Sequence, residues 1–420
     1  MKVALVLHLY QPPMQSPEVF KKITAECYIP LLKIIKNKKN HKFTLNVPLS
    51  LLEQMDKYGY YDWLQDLKTL YEQERVEITG SAAYHPLLTK IPENLVEEQI
   101  ILNEYGLGYY FGTKHGFEGE PSIMVKNIQG FFPPEMAVNY ELAKILSDLG
   151  YKWFMAEDTC LPPSADNNKS IYTLKDLGIN VVCRDSLLSN MLSFKRETNL
   201  NDILSIIYSK KIDNSSLVLS LDGEYFGHHY PDGIYLLDYF LGLLEGAGIF
   251  VSSVSDMVDE RNHPLISEFR ESSWGASKDD WSRGDIYPFW YDNNNSTQLN
   301  MWKLQYLIIS HTNYSSTVDN VSDMQNIPIW NISYNKDNNN ELIYNDIIKY
   351  INLHKFLNSD KFWWLSKKSL MGKNLYNPEI VRDVMKYADI ICTIDEDTNA
   401  DAKYTKDVKV LIGEIIKELK

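Results

Sequence analysis

The chain has 420 residues, of which 44% are hydrophobic, enough for one large domain and a smaller one. Its net charge of −14 argues against nucleic acid and against an anionic membrane surface as partners, since both require a basic face. No apolar run reaches the length of a membrane span, and the first apolar stretch, Val3-Ala4-Leu5-Val6-Leu7, is too short for a secretory leader. The four cysteines, Cys27, Cys160, Cys183 and Cys392, form no Cys-x-x-Cys pair and no zinc-spaced Cys/His cluster. They read as buried thiols, and a cytoplasmic location is expected, with no metal and no cofactor.

Along the first 260 residues, short apolar runs alternate with helical patterns. The expected strands are Lys2–His8, Phe43–Val47, Val76–Thr79, Met124–Gln129, Lys152–Ala156, Asn180–Arg184, Leu217–Asp222 and Gly248–Val251. The helical stretches between them are Glu18–Lys36, Leu49–Tyr58, Tyr61–Glu74, Asn94–Phe111, Met136–Leu149 and Gly233–Leu244. This alternation predicts an α/β fold with a parallel sheet, and seven or eight units favour a barrel over a doubly wound sheet. The first strand is followed by His8-Leu9-Tyr10-Gln11-Pro12-Pro13, which contains no glycine, so a nucleotide-binding loop is not expected. Beyond residue 260 the texture changes. A Trp- and Asp-rich segment over 272–300 precedes helical patterns at Gln298–His311, Leu342–Leu357, Pro378–Asp389 and Tyr404–Leu419, with Asn-rich runs at Asp292–Asn295 and Asp337–Asn340. The domains expected are therefore 1–260, a catalytic barrel, and 261–420, an aromatic-rich segment and a helical bundle that completes the cleft.

Polar residues follow the strands repeatedly, among them His8, Asn46, Glu135, Glu157, Asp158, Arg184, Asp222 and Glu224. In a barrel these positions share the face that carries active sites. Glu135 follows Pro133-Pro134 and a Phe-Phe pair. It is expected to open a helix, either as an acid favoured by the helix dipole or as an ionised nucleophile. Asp222 and Glu224 flank Gly223. They are either a simple Asp-Gly turn or a carboxyl pair whose apolar surround, Leu221 and Phe226, raises a pKa and suits a general acid. Asp222 is the better acid candidate, with Glu224 as orienter or ligand binder. His8 and His85 sit at equivalent strand ends and are candidates for binding substrate hydroxyls, as is Gln11. Arg184 is either half of a surface ion pair with Asp185 or a site residue. Of Trp274, Trp281, Trp290, Trp363 and Trp364, two are expected in the site, Trp274 first; pyranose faces stack on flat rings, and 28 Tyr and 9 Trp suit sugar binding. His228-His229 raises metal-dependent deacetylation as an alternative, without the ligand spacing that would support it.

Taken in order, these segments resemble glycoside hydrolase family 57, the retaining enzymes active on α-glucans. His8 with Tyr10-Gln11-Pro12 is similar to its first signature, Glu77 to Pro86 to its second, Gly130 to Glu135 to its third and Leu221 to Gly227 to its fourth. Ser359-Asp360-Lys361-Phe362-Trp363-Trp364 is similar to a motif of its helical region. The resemblance implies a (β/α)7-type distorted TIM-like barrel followed by a C-terminal α-helical bundle. It implies Glu135 as nucleophile, Asp222 as acid/base, and an α-glucan or maltooligosaccharide as substrate. The sequence departs from the first signature at Tyr10, where the family has a second His. The length is short for the family and points toward an α-amylase-like member, with a 4-α-glucanotransferase, a branching enzyme or a non-catalytic carbohydrate-binding protein as alternatives.

Overall fold

The computed structural model describes residues 2–112, 128–165, 169–194, 199–212, 216–260, 263–311, 341–370, 373–397 and 402–419. Its contacts divide into two units, Met1–Gln11, Gln15–Ala83 and Leu88–Ile286 in the first, and Pro12–Met14, Tyr84–Leu87 and Tyr287–Lys420 in the second.

The first unit is built on strands β1 (Lys2–His8), β2 (Phe43–Asn46), β3 (Val76–Thr79), β4 (Gly130–Phe131), β5 (Trp153–Ala156), β6 (Ile171–Leu174), β7 (Asn180–Cys183), β8 (Ser216–Asp222), β9 (Val251–Ser252) and β10 (Leu265–Ile266). One sheet runs β3-β2-β1-β8 with β9 also on β1, and every pair in it is parallel. A second runs β10-β6-β7-β5-β4, parallel except where β6 folds back on β7. That reversal turns on Gly178, whose φ of 70° a side chain would disfavour. β6 and β10 escape a periodicity reading because they are short and carry no alternation of their own. Of the expected strand Met124–Gln129, residues 124–127 lie outside the described residues, and the strand found here is Gly130–Phe131.

Hydrogen bonds also run between the sheets. Gly80 N–H donates to Gly130 O (2.8 Å) and Phe132 N–H to Gly80 O (2.9 Å), while Asp185 N–H donates to Val218 O (2.8 Å). No side chain fits at Gly80, whose Cβ would stand 2.4 Å from the Tyr151 hydroxyl.

The strands bury both faces, as parallel strands must when helices cover them. On β1, Val3, Leu5 and Leu7 join a large core with the surrounding helices, whereas Ala4 and Val6 join a smaller one with Phe132, Met136, Trp153, Met155, Val182 and Val218. The period of two places the side chains of β8 likewise: Leu217, Leu219 and Leu221 lie in the large core and Val218 in the small one. His8 and Asp222 continue the second series at the carboxyl ends of their strands, paired in register.

The expected helices appear with small shifts. Glu18–Lys36 is a run of α-helix Pro17–Ile23, a π-helical turn Thr24–Tyr28, and α-helix Ile29–Asn37. Expected Met136–Leu149 begins later, at Tyr140, where the side chain of Asn139 accepts the N–H of Leu142 and so caps the helix. Glu77 lies at the far end of the sheet from Asp222. Its carboxylate accepts Thr44 Oγ1 (2.7 Å) and Val254 N–H (3.0 Å) and pins the start of helix Val254–Val258.

The second unit contains helices Ser296–His311, Glu341–Phe356, Asp360–Trp363, Pro378–Asp397 and Ala402–Glu418 and a hairpin of β11 (Ser369–Leu370) with β12 (Lys373–Asn374). The Asn-rich run 337–340 lies outside the described residues. Trp290 is fully buried and packs on Trp363, while Trp302 stacks on Phe362 with centroids 3.8 Å apart. Trp290 and Trp302 are core, and Trp363 is half-buried.

Candidate active site

Asp222 ends β8 and is exposed, whereas the preceding residues are buried. The desolvation expected of it falls instead on Glu224, two residues on. Glu224 is 6% exposed, and burial, with the charge of Asp222 added, raises its carboxyl from 4.5 to about 7. Oε1 of Glu224 accepts the Tyr28 hydroxyl, the Tyr10 N–H (3.0 Å) and Gln11 Nε2 (3.5 Å). The acid with the raised pKa thus ties the segment after β1 to the turn after β8. The turn itself is forced tight, because a Cβ on Gly223 would stand 2.1 Å from Leu9 Cδ2.

Gln11 is equally engaged. Its Nε2 donates to Tyr28 Oη (2.9 Å), its Oε1 accepts Gln15 Nε2 (2.9 Å), and its carbonyl accepts Ser50 Oγ (2.5 Å). Tyr28, absent from the sequence reading, is brought to Glu224 by the π-helical turn that it ends, and nothing in the local sequence marks that turn.

His8 is buried, and its Nδ1 lies 2.6 Å from Asn46 Oδ1. The Asn46 amide is oriented by Nδ2, which donates to Thr79 Oγ1 (3.1 Å), so Nδ1 of His8 carries the proton and donates. Burial holds the imidazole below its ordinary range, against the opposing pull of Asp222 and Asn46, so it is neutral near pH 7. Its ring lies flat on Phe132, with centroids 4.9 Å apart and planes at 6°, and faces Tyr10 at 5.8 Å.

Glu135 does not open a helix. Pro134–Met136 is a 3-10 turn in which Glu135 has φ 59° and ψ 15°, and Met136 has φ 43°. The helix-dipole argument therefore does not apply to it. Left-handed backbone at a non-glycine residue costs about 1–3 kcal/mol and persists only where the surroundings enforce it. Trp274 supplies that enforcement at two points: its backbone N–H donates to Glu135 O (3.0 Å) and its indole Nε1–H to Glu135 Oε2 (2.6 Å). The Trp274 segment is itself fixed by a reciprocal backbone pair between Val138 and Ser272, each 3.0 Å. Trp274 thus acts on the carboxylate directly, whereas Trp281 lies against the Arg270 guanidinium, 4.5 Å from its ring.

Arg184 forms no surface pair with Asp185. Its Nε donates to Glu157 Oε2 (2.6 Å) with both side chains buried, its Nη2 reaches Asn190 Oδ1 (3.2 Å), and Asp185 pairs with Lys210 at 2.8 Å. Glu157 also accepts the Ser186 hydroxyl. This bridge cross-links the ends of β5 and β7. His85 belongs to the segment Tyr84–Leu87 of the second unit, with φ 58° and Nδ1 at 3.2 Å from Ser359 Oγ. His228 Nδ1 lies 2.9 Å from Glu26 Oε2. Among the described residues no helix is long and apolar enough to cross a membrane.

A mixed α/β fold that presents carboxylates at the carboxyl ends of parallel strands defines the class. The chain belongs to glycosyl hydrolase family 57, whose model matches residues 7–267. It is similar to an α-amylase of Pyrococcus abyssi, 24% identical over 229 residues, a match covering 53% of this chain and only 32% of that one. The described fold is similar to that of a branching enzyme from Pyrococcus horikoshii (TM-score 0.68, 16% identity, 98% of this chain and 94% of that one). It is also similar to that of a 4-α-glucanotransferase from Thermococcus litoralis (TM-score 0.64, 17% identity, 94% of this chain and 58% of that one). Because the branching enzyme is of nearly the same length, length does not separate an amylase from a branching enzyme.

Proposed function

We propose that this chain is a retaining glycoside hydrolase acting on α-1,4-glucans, with Glu135 as nucleophile and Asp222 as acid/base, on a (β/α)7-type barrel followed by a helical bundle. One observation carries the reading. His8 stands beside Asp222 in the backbone register of β1 and β8, and its imidazole stacks at 4.9 Å on Phe132, three residues before Glu135. A ring shared by both strand ends supports a common rim for the two acids. Closure of β1, β2, β3, β4, β5, β7 and β8 into one barrel is supported by the Gly80–Gly130 and Asp185–Val218 hydrogen bonds. A reducing, cytoplasmic setting is consistent with four free cysteines, of which Cys160 and Cys183 share a thiol hydrogen bond at 3.8 Å.

In this reading Glu135 Oε1 attacks the anomeric carbon while Trp274 holds Oε2. Asp222 protonates the departing glycosidic oxygen, giving a glycosyl-enzyme ester, and then takes a proton from water or from an acceptor hydroxyl as that oxygen displaces Glu135. Asp222 serves this role better than Glu224, because the oxygen of Glu224 is already occupied by protein donors and its side chain is buried. Neutral His8 lies at the strand end beside Asp222, where a sugar hydroxyl would be bound. Glu224, Gln11 and the Arg184–Glu157 bridge act as supports of the walls.

Retention requires carboxyl groups about 5–5.5 Å apart and release of the α-anomer first. Following fresh product by proton NMR tests this, and a β-anomer at early times overturns it. Glu135→Gln and Asp222→Asn should each lower kcat on maltooligosaccharides roughly 1,000-fold or more with an unchanged circular dichroism spectrum. Full activity in either variant refutes the assignment. The fold likeness to a branching enzyme and a glucanotransferase favours a second outcome for the same intermediate, transfer to sugar. Maltoheptaose separates the two: short products alone indicate hydrolysis, and a ladder of longer or branched chains indicates transfer.

A further inference from the structure

Helix Gly233–Gly246 is apolar on nearly every side, its only charged residues being Asp238 and Glu245. Leu237, Phe240, Leu241 and Leu244 are buried beneath it, at 2%, 2%, 0% and 0% exposure. On the outer side Tyr235 is 76% exposed and Tyr239 60%. They stand four residues apart, about one turn, and so lie on the same side of the helix. A helix apolar all round is ordinarily covered, and two tyrosines this exposed on one side of it stand out. Between them Asp238 is held by Lys38, with Oδ1 3.1 Å from Nζ, which sets a charged hydrogen-bonding pair beside the rings.

The helix is joined directly to the turn that carries Asp222. Gly233 N–H donates to Tyr230 O (2.8 Å), and a Cβ on Gly233 would stand 2.8 Å from Phe226 Cα, so its first turn lies against the backbone of that turn. Tyr235 and Tyr239 fall within the two turns that follow.

We propose that Tyr235 and Tyr239, with Asp238 and Lys38, form an accessory binding surface for an α-glucan chain, outside the catalytic centre and beside it. Sugar rings stack on aromatic faces through their C–H surfaces while hydroxyls reach a carboxylate or ammonium, and this surface offers both. A second copy of the chain is the poorer occupant. The chain's net charge of −14 disfavours pairing of two copies at moderate ionic strength. The inference rests on the α-glucan reading above and adds a polymer-specific contact to it.

Native gel electrophoresis in soluble amylose tests the surface independently of turnover. The wild type should be retarded by amylose, and Tyr235→Ser/Tyr239→Ser should bind at least about fivefold more weakly, while Tyr235→Trp/Tyr239→Trp retains the retardation because the rings remain. The serine variant should keep wild-type kcat on maltotriose and show a raised KM on amylose. Equal retardation of wild type and serine variant overturns the proposal. So does sedimentation showing a wild-type dimer that the serine variant dissociates, which would assign the surface to a second copy. If the wild type is retarded yet cleaves and transfers no α-glucan, the catalytic reading fails and the surface stands. If it is active and the serine variant is indistinguishable on amylose, the surface fails and the catalytic reading stands.

Discussion

Trp274 Nε1–H donates to Glu135 Oε2 at 2.6 Å. A hydrogen bond to a charged group contributes about 1.5–3 kcal/mol, and Trp274→Phe keeps a ring while deleting the donor. We expect kcat to fall roughly 10–100-fold with KM changed far less, as the free energy of that bond converts to rate. Steady-state kinetics on maltooligosaccharides measures it, and an unchanged kcat would show that the left-handed backbone alone positions the acid. Glu224 gives a different kind of prediction. Its carboxyl, raised from 4.5 to about 7, binds its proton more tightly folded than unfolded. The native state then holds more protons than the unfolded state, so the stabilisation from this group is fully present below about pH 4.5 and is lost as pH rises through about 7. Glu104, buried against Tyr151 and also raised to about 7, acts in the same direction. Each contributes on the order of 3 kcal/mol of pH dependence. Urea midpoints at about pH 5 and about pH 8 should fall for the wild type and fall less for Glu224→Gln and for Glu104→Gln. Parallel declines in all three would contradict this.

At the scale of elements, turns rather than strands place the candidate acids. The Asp222-Gly223-Glu224 turn sends one acid outward and the next inward. That division depends on Gly223, whose missing side chain admits Leu9 Cδ2. Gly223→Ala should cost about 1–3 kcal/mol by overpacking and displace both acids. A lowered thermal midpoint with kcat reduced more than tenfold is expected, and a variant with unchanged kcat would show that the turn tolerates the shift. The π-helical turn Thr24–Tyr28 works with it, since the hydroxyl of Tyr28 completes the donors to Glu224. On the other side, the reciprocal Val138–Ser272 pair brings residues far apart in sequence together and delivers Trp274 to Glu135. The Arg184–Glu157 bridge closes the ends of β5 and β7. Removing either partner leaves a buried charge, so Arg184→Met should destabilise more than the loss of any surface ion pair here.

For the whole molecule, charge makes its own prediction. Under the proposed function, a chain with net charge −14 acting on a neutral glucan gains nothing from electrostatic steering. Its kcat/KM on amylose should change less than about twofold between about 0.05 and about 0.5 M salt, where phosphate-binding proteins lose affinity steeply. A steep decline would point to a charged ligand. The same scale shows how the fold was legible. β1 matches its expected range because Val3–Leu7 buries both faces, and burial on both faces is written as a continuous apolar run, whereas β3 matches through Val76 and Ile78 alternating with Glu77 and Thr79. β6 was invisible because its reversal depends on a turn at Gly178 and on β7 as a partner.

The sequence by itself determined most of the order of strands and helices, β6 and β10 excepted, and the positions of Glu135 and Asp222 after apolar runs, because burial and period leave a direct trace in residue type. It also carried the family's signatures. Only the tertiary structure decided which acid is buried and which is exposed. It decided, too, that Glu135 stands on strained backbone clamped by Trp274 instead of at a helix start, and that Arg184 pairs with Glu157 instead of Asp185. The physical reason is common to all three. Desolvation, backbone strain and charge pairing depend on what packs against a residue from distant segments, and no local pattern encodes that.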